Sequence, residues 1–139
     1  MSNKRVMVSG GFDPIHIGHV RMILEAAKVG DVIVVLNSDE WLSRKKGFVF
    51  MPWCERAEII ESIRGVVSVE HVEDSDNTVC EAIRRLHPDV FANGGDRKQQ
   101  NTPEIDLCNQ MNIELAWNVG GGKIQSSSDL VSASKNKDR

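Results

Sequence analysis

The feature that most constrains the fold is a nearly unbroken run of aliphatic residues, Asp31-Val32-Ile33-Val34-Val35-Leu36-Asn37. A strand with one face in water alternates apolar and polar residues, whereas this run is apolar on both faces. Strands of that kind occur mainly in parallel sheets that carry helices on each side. The run therefore predicts an α/β protein built around a buried parallel sheet.

The rest of the chain alternates between strand patterns and helix patterns. Such alternation favours right-handed crossovers on both faces of one sheet. We predict an α/β fold with a single doubly wound parallel sheet of about five strands, a domain over residues 1–133 and a polar tail over 134–139. The predicted strands cover 4–9, 31–37, 66–72, 89–92 and 113–117, the predicted helices cover 18–29, 52–63, 78–86, 103–111 and 126–133, and a short helix with a mobile loop is predicted between 38 and 51.

Composition excludes several classes of function. The 139 residues carry a net charge of −3, and binding to nucleic acid or to an anionic membrane needs a concentrated basic surface. No apolar run approaches the ~20 residues of a membrane-spanning helix, and the N-terminus lacks a signal-peptide pattern. We expect a soluble, cytoplasmic protein with no nucleic-acid or membrane partner. Cys54, Cys80 and Cys108 have no metal-type spacing, so we expect reduced cysteines in or near the core.

The residues that carry chemistry concentrate between the first strand and the first helix. Gly10 and Gly11 permit close approach of a ligand to main-chain N–H groups. The helix that begins near Gly18 directs its N-terminal N–H groups and positive dipole end to the same place. His16 and His19 are three residues apart, so both can face one ligand. Imidazole N–H groups stabilise charge on phosphoryl oxygens, and phosphate contact would favour the imidazolium form. This segment therefore predicts a polyphosphate site.

Two other interpretations of this segment are weaker. A metal pair would need a third ligand, and the remaining histidines, His71 and His87, belong to unrelated segments. A dinucleotide-binding turn would need Gly-x-Gly-x-x-Gly, a spacing that this segment lacks. Asp39 follows the second strand where a ribose-binding acid could sit, but we expect it to cap that turn. An NAD-type binder stays a distant alternative.

The segment resembles the His-x-Gly-His signature of the cytidylyltransferase-like nucleotidyltransferase superfamily, here His16-Ile17-Gly18-His19 preceded by Gly11-Phe12-Asp13. The similarity extends from about residue 6 to residue 131 and is nearest to heptose-phosphate adenylyltransferases and glycerol-3-phosphate cytidylyltransferases. It implies a Rossmann-like nucleotidyltransferase fold. The segments that continue it are 30–39, Glu55-Arg56, Pro88-Asp89-Val90, Gly94-Gly95-Asp96 and Ser126-Ser127-Ser128.

This resemblance also implies a reaction and a set of site residues. A nucleoside monophosphate would pass from ATP or CTP to a small phosphomonoester, such as a sugar or polyol phosphate, with release of pyrophosphate. His16, His19 and Lys46 would be catalytic. Mg²⁺ bound mainly through the substrate phosphates is implied, without dedicated protein ligands, and a homodimer is expected because relatives often form one. The implied nucleotide-binding residues are Gly10, Gly11, Phe12, Gly18, Lys45, Asp96, Ser126, Ser127 and Ser128.

Departures from the family pattern leave both substrates open. Lys123 stands where cytidylyltransferases carry an arginine before the late Ser/Thr motif, and lysine supplies the charge without the bidentate fork. The triple serine is closer to adenylyltransferases that act on phosphopantetheine or nicotinamide mononucleotide. An alternative is therefore a catalytically inactive nucleotide-binding sensor or assembly module of the same fold. Arg56 and Arg64 are partly explained as helix-surface charges, and a phosphate role for Arg56 is an alternative that we do not favour.

Overall fold

A computed structural model describes residues 4–93, 102–117 and 119 of the chain. Strands and helices alternate as the sequence predicts, while the helix predicted at 126–133 and the tail lie outside the described residues. The described elements are β1 (Arg5–Gly10), α1 (Ile17–Ala26), β2 (Asp31–Leu36), α2 (Asp39–Lys46), α3 (Trp53–Glu61), β3 (Val66–Glu70), α4 (Cys80–Leu86), β4 (Val90–Ala92), α5 (Thr102–Gln110) and β5 (Glu114–Ala116).

The five strands form one parallel sheet in the order β3-β2-β1-β4-β5. The chain builds outward from β1 to β3, then returns to the other side of β1 for β4 and β5. In open sheets of this type, ligands bind beyond the carboxyl ends of the strands where the order reverses. The predicted doubly wound fold is confirmed, and its topology places the crevice beyond β1 and β4.

Helices cover both faces of the sheet, as the run in β2 requires. On one face Val34 packs in a cluster with Ile23 of α1 and Ile60 of α3. On the other face Val35 packs in a cluster with Ile83 of α4. Each large aliphatic side chain that is removed from water in this way contributes roughly 1.5–3 kcal/mol. Two apolar layers therefore hold the sheet in place beneath the crevice.

The first helix ends earlier than the sequence predicts, and Gly30 is not its stop signal. Helix α1 ends at Ala26, and a short turn leads from it to β2. A Cβ at Gly30 would lie 2.2 Å from the carbonyl oxygen of Lys4. Glycine is needed at this position because the chain passes closely beside the start of β1 as it enters β2.

Two of the three cysteines lie in the core of the protein. Cys80 and Cys108 are buried, Cys54 is exposed, and all three are free thiols. The expectation of cysteines in or near the core therefore holds for two of them. Within the part of the chain that the structure describes, no helix has the length and apolar character to span a bilayer.

Gly65 and Gly47 form a matched pair that tests how tightly α1 packs beside β3. Both have a left-handed φ, +95° and +86°, but a Cβ on Gly65 would lie 2.5 Å from the Cβ of Ala27, whereas Gly47 has open space. We expect Gly47→Ala to cost about 1–2 kcal/mol of backbone strain and Gly65→Ala to cost about 1–3 kcal/mol more through overpacking. Urea denaturation of both variants measures the difference. Equal losses would contradict close packing at Gly65.

Candidate active site

Two histidines form the N-terminal cap of α1. His16 is the N-cap residue, and its Nδ1 accepts a hydrogen bond from the Gly18 amide at 3.0 Å. In return, Nδ1 of His19 accepts from the His16 amide at 3.1 Å. This reciprocal pair is a capping box in which imidazoles replace the usual hydroxyl and carboxylate. The cap fixes both rings at the start of α1, in the connection that follows the carboxyl end of β1.

The cap also decides which nitrogen of each ring carries its hydrogen. Since Nδ1 is an acceptor in both histidines, the neutral rings carry their hydrogen on Nε2. The rings stack with centroids 3.8 Å apart and an angle of 23° between their planes. Within the described residues, the buried Nε2 of His16 has no hydrogen-bond partner. A buried donor left without a partner costs roughly 1–3 kcal/mol. The Nε2–H group of His16 is therefore available to donate a hydrogen bond to a bound acceptor.

Both rings are neutral in the protein as described. Burial, together with the neighbouring His16 and Lys46, lowers the pKa of His19 to about 3. Burial also lowers the pKa of His16. The predicted imidazolium form depends on contact with phosphates, so it stays a prediction; without a ligand, burial and the nearby Lys46 disfavour a charged His19 ring.

Packing against α2 explains the second glycine of the loop. A Cβ on Gly11 would lie 2.9 Å from Cδ2 of Leu42 and 3.2 Å from Cζ3 of Trp41, both in α2. The atoms nearest to a Cβ on Gly10 would be those of the Phe12 ring, the first at 3.4 Å, which is an ordinary contact. Close approach is thus required at Gly11, and the partner that needs it in this structure is α2.

Phe12 and Gly18, which were predicted to bind the nucleotide, both support the histidines. The ring of Phe12 is buried and meets the His19 ring edge-on, with centroids 4.7 Å apart. The amide of Gly18 is already bonded to His16. The predicted set of free N–H groups at the start of α1 is smaller than expected because the cap uses part of it.

The three basic residues at the end of α2 point to different partners. Lys46 donates from Nζ to the carbonyl oxygen of Asp13. Asp13 belongs to residues 10–16, which the sequence predicts to bind phosphate and which are called the phosphate-binding loop for that reason. Nζ of Lys45 lies 5.7 Å from the ring centroid of Trp41. Arg44 donates instead to the connection between β3 and α4. Of these three side chains, Lys46 is the one that hydrogen-bonds to the phosphate-binding loop.

Asp13 has a role that the sequence analysis missed. Its carboxylate is 1% exposed and accepts hydrogen bonds from the amides of Phe50 and Met51, each at 2.7 Å. These bonds hold the connection between α2 and α3 against the phosphate-binding loop. An aspartate just before the histidine motif was visible in the sequence, but its partners lie 37 and 38 residues away.

Arg56 is not the helix-surface charge that was predicted. It is 1% exposed, and its NH1 donates to the carbonyl oxygens of Gly11 and Asn37. Its NH2 lies 2.5 Å from Oδ1 of Asp39. The prediction that Asp39 caps the turn after β2 is wrong, because Ser38 is the N-cap of α2 and Asp39 pairs with Arg56 instead.

Asp74 anchors the end of β2 from the opposite side. Its carboxylate accepts from the amide and hydroxyl of Ser38, at 2.8 and 2.7 Å, and from Nδ2 of Asn37 at 3.0 Å. Burial raises the pKa of Asp74, but these hydrogen bonds outweigh burial and leave the pKa below its ordinary value. The carboxylate therefore stays ionised and holds Ser38 in its capping position.

The remaining predicted site residues lie outside the described residues and stay predictions. They are Asp96, Lys123, Ser126, Ser127 and Ser128. Within residues 4–93, 102–117 and 119, no group of three His, Cys, Asp or Glu side chains could hold a metal ion.

Comparison with known proteins decides the family. The family described as cytidylyltransferase-like matches residues 7–118. The chain belongs to the cytidylyltransferase-like family. This membership confirms the resemblance that the His-x-Gly-His motif indicated, and it agrees with the doubly wound fold.

Several curated relatives share this family. The chain is 32% identical over 114 residues to the bifunctional protein HldE of Nitratiruptor, a match that covers 79% of the chain and 24% of HldE. It is 35% identical over 94 residues to the FAD synthase of Ferroglobus placidus, covering 68% of the chain and 60% of that protein. The FAD synthase of Pyrococcus abyssi is 38% identical over 95 residues, 67% of the chain and 64% of the relative. The matches therefore span less than two thirds of each of these relatives.

A solved structure has the same fold. The lipopolysaccharide core biosynthesis protein of Thermoplasma volcanium superposes with a TM-score of 0.66 at 25% sequence identity. The match covers 82% of this chain and 93% of that protein. The shared fold thus extends over most of both chains.

The lowered pKa of His19 predicts a loss of stability in acid. In the unfolded chain His19 has its ordinary pKa of 6.5, whereas in the folded protein its pKa is about 3. Between these two pH values the unfolded chain therefore binds a proton that the folded protein does not bind. The free energy of unfolding should therefore fall as the pH drops from 6.5 towards 3, by at most about 1.4 kcal/mol per pH unit from this group. Urea denaturation between about pH 7 and pH 4 measures this slope.

His19→Asn is the matched control for that slope. An asparagine Oδ1 can accept the His16 amide as Nδ1 does, but it does not titrate. The variant should therefore show a shallower decline in acid. If both proteins lost stability in parallel, His19 would not be the source of the pH dependence.

Proposed function

We propose that this protein is a nucleotidyltransferase that moves a nucleoside monophosphate from ATP or CTP to a small phosphomonoester and releases pyrophosphate. The observation that carries the proposal is the pair of stacked imidazoles whose Nδ1 atoms are both used by the helix cap. Each ring therefore keeps an Nε2–H group for a ligand. Family membership gives the second support.

The proposed step needs electrostatic stabilisation more than proton transfer. An oxygen of the acceptor phosphate attacks the α-phosphorus, and the bond from that phosphorus to the oxygen bridging the α- and β-phosphates breaks. Negative charge grows on the α-phosphoryl oxygens and on the leaving pyrophosphate. Neutral donors fixed in advance stabilise that charge without reorganising during the step. His16 and His19 would supply them, and no covalent intermediate on the protein is required.

Lys46 would add a positive charge to the same phosphates. In the structure its ammonium group donates to the carbonyl oxygen of Asp13, in the same loop as His16. Among the described residues, the hydrogen-bond partner of Lys46 is this neutral carbonyl. The lysine can exchange it for an anionic oxygen, which makes a stronger, charge-assisted bond. Lys45, Asp96 and the three serines at 126–128 stay proposed nucleotide-binding residues on the strength of the family pattern.

Mg²⁺ fits this site as an ion that the substrate brings with it. The carboxylates of Asp13 and Asp74 use both of their oxygens to accept hydrogen bonds from the protein. The ion would thus be held mainly by triphosphate oxygens and water, as is usual for Mg²⁺ at phosphates. When bound, it would neutralise charge on the departing pyrophosphate.

The proposed acceptor is a sugar or polyol phosphate, with a flavin phosphate as a further candidate. FAD synthases among the relatives make a product that carries an adenosine monophosphate unit, which favours ATP as the donor. A homodimer and a cytoplasmic location also stay predictions.

Pyrophosphate release tests the proposal directly. The purified protein should release pyrophosphate with ATP or CTP and Mg²⁺ in the presence of one member of a panel of sugar, polyol and flavin phosphates. Pyrophosphate is measured by a coupled enzymatic assay, and the joined product by mass spectrometry. Firm nucleotide binding without turnover on any pair would identify the sensor or assembly module instead.

Asparagine variants separate the cap from the chemistry. His16→Asn keeps a good N-cap acceptor for the Gly18 amide but removes the Nε2 donor. We expect His16→Asn and His19→Asn each to lower kcat by roughly 10²–10³-fold, the usual cost of one transition-state donor, while melting temperatures stay close to the parent.

His16→Ala is the control for the cap. It removes the donor and the cap together, so it should also lose about 1 kcal/mol of stability. Parental turnover by either asparagine variant would refute the proposed role of the imidazole donors.

A further inference from the structure

We propose that Arg56 is a positioning residue for the phosphate-binding loop: its guanidinium orients the Gly11–Phe12 peptide so that the Phe12 amide N–H faces the bound triphosphate. Arg56 itself does not touch the phosphates. The inference rests on the proposed function for the identity of the ligand, although its test does not require turnover.

The guanidinium of Arg56 joins the segments that surround the crevice. Nε donates to the carbonyl oxygen of Met51 at 2.8 Å, and NH1 donates to those of Gly11 at 2.8 Å and Asn37 at 3.0 Å. NH2 lies 2.5 Å from Oδ1 of Asp39. These four partners belong to the connection before α3, the phosphate-binding loop, the end of β2 and the start of α2. The planar fork of arginine satisfies this geometry, whereas an ammonium group could not reach all four.

A trans peptide directs its C=O and N–H in opposite directions, so the partner of a carbonyl fixes where the next amide points. The Asn37–Ser38 peptide shows this clearly. Its carbonyl faces Arg56, and its amide N–H, on Ser38, donates away from Arg56 to Oδ2 of Asp74 at 2.8 Å. Arg56 and Asp74 therefore fix the orientation of this peptide, because both its C=O and its N–H have a hydrogen-bond partner in the structure.

The same geometry holds for the Gly11–Phe12 peptide, with one difference. Its carbonyl faces Arg56, so the Phe12 amide points away from the guanidinium. Across residues 4–93, 102–117 and 119, that amide has no hydrogen-bond acceptor. The Phe12 backbone is also held at φ +50°, a conformation that a bulky residue adopts only when its surroundings impose it. An oriented donor without an acceptor, next to the histidine cap, fits a phosphate oxygen.

Charge favours the same assignment. The guanidinium is desolvated, and its carboxylate partner Asp39 has a side chain that is 41% exposed. Asp39 therefore neutralises the charge of Arg56 only in part, and the remaining positive charge lies on the carbonyl side of the Gly11–Phe12 peptide. An anion on the outer side of the Gly11–Phe12 peptide would meet the positive end of that peptide and the charge behind it.

Arg56→Lys with Arg64→Lys as its control tests the inference. Lysine keeps the charge at position 56 but cannot hold all four acceptors, and Arg64 is an exposed arginine shortly after α3. We expect Arg56→Lys to bind inorganic tripolyphosphate ~10- to 100-fold more weakly by isothermal titration calorimetry, because one oriented donor to a charged group is lost. Arg64→Lys should bind like the parent. Parental affinity in a folded Arg56→Lys protein would overturn the inference.

A measurement on the unmodified protein covers the case in which Arg56→Lys does not fold. Addition of tripolyphosphate to ¹⁵N-labelled protein should shift the Phe12 amide proton downfield, as a new hydrogen bond to an anion requires. An unmoved Phe12 resonance at saturation would overturn the inference.

If the protein turns over substrate, its kinetic constants give a further test, because loss of an arginine with only a structural role would not change them in a folded variant. Arg56→Lys should raise the KM for the nucleoside triphosphate by a factor similar to its loss of tripolyphosphate affinity. An equal loss of stability and activity with unchanged tripolyphosphate affinity would show that Arg56 is only structural. Absence of turnover in the parent, with tripolyphosphate binding that depends on Arg56, would refute the proposed function and leave this inference standing.

Discussion

The buried guanidinium of Arg56 is the interaction on which the arrangement of the site depends. Removing a charge from water costs several kcal/mol, so a buried arginine persists only where its donors are satisfied. Here the acceptors are three main-chain carbonyls and Asp39. Because each carbonyl belongs to a different segment, the need to satisfy one side chain determines how the segments around the crevice fit together.

The histidine cap shows how stability and chemistry share the same two side chains. Each imidazole has two nitrogens, and the helix start needs only one acceptor from each ring. His16 and His19 give Nδ1 to the cap and keep Nε2 for the crevice. Aspartate would cap α1 as well, but its carboxylate would leave no donor free. The fold therefore fixes the tautomer of the site through an ordinary capping requirement.

The sequence predicted the features that depend on local pattern. The aliphatic run in β2 predicted burial on both faces, and the structure shows Val34 and Val35 in opposite layers. The spacing of His16 and His19 predicted two rings on one side of a helix start, which the stacked pair confirms. In each case the residues that matter are neighbours in sequence, so periodicity alone carries the information.

Features that depend on distant partners were not predictable in this way. Arg56 meets the carbonyl of Gly11 across 45 positions of the chain, and Asp13 meets the amides that precede α3 across 37 and 38. A charged residue on a helix resembles a surface residue until the tertiary fold supplies its acceptors. Gly30 was misinterpreted for a related reason: a helix stop and a close approach of two backbone segments both call for glycine, and only the position of Lys4 distinguishes them.

The stacked geometry also limits how the histidine pair can take up protons. Two charged rings 3.8 Å apart would repel each other by about 4 kcal/mol at an effective dielectric constant near 20. The positive Lys46 beside them lowers the pKa of His19 further. A bound triphosphate would offset part of this repulsion, but the second proton would still face the first at the stacking distance. In the proposed reaction, the pair would therefore take up at most one extra proton and would contact the phosphates mainly through hydrogen bonds from neutral Nε2–H donors.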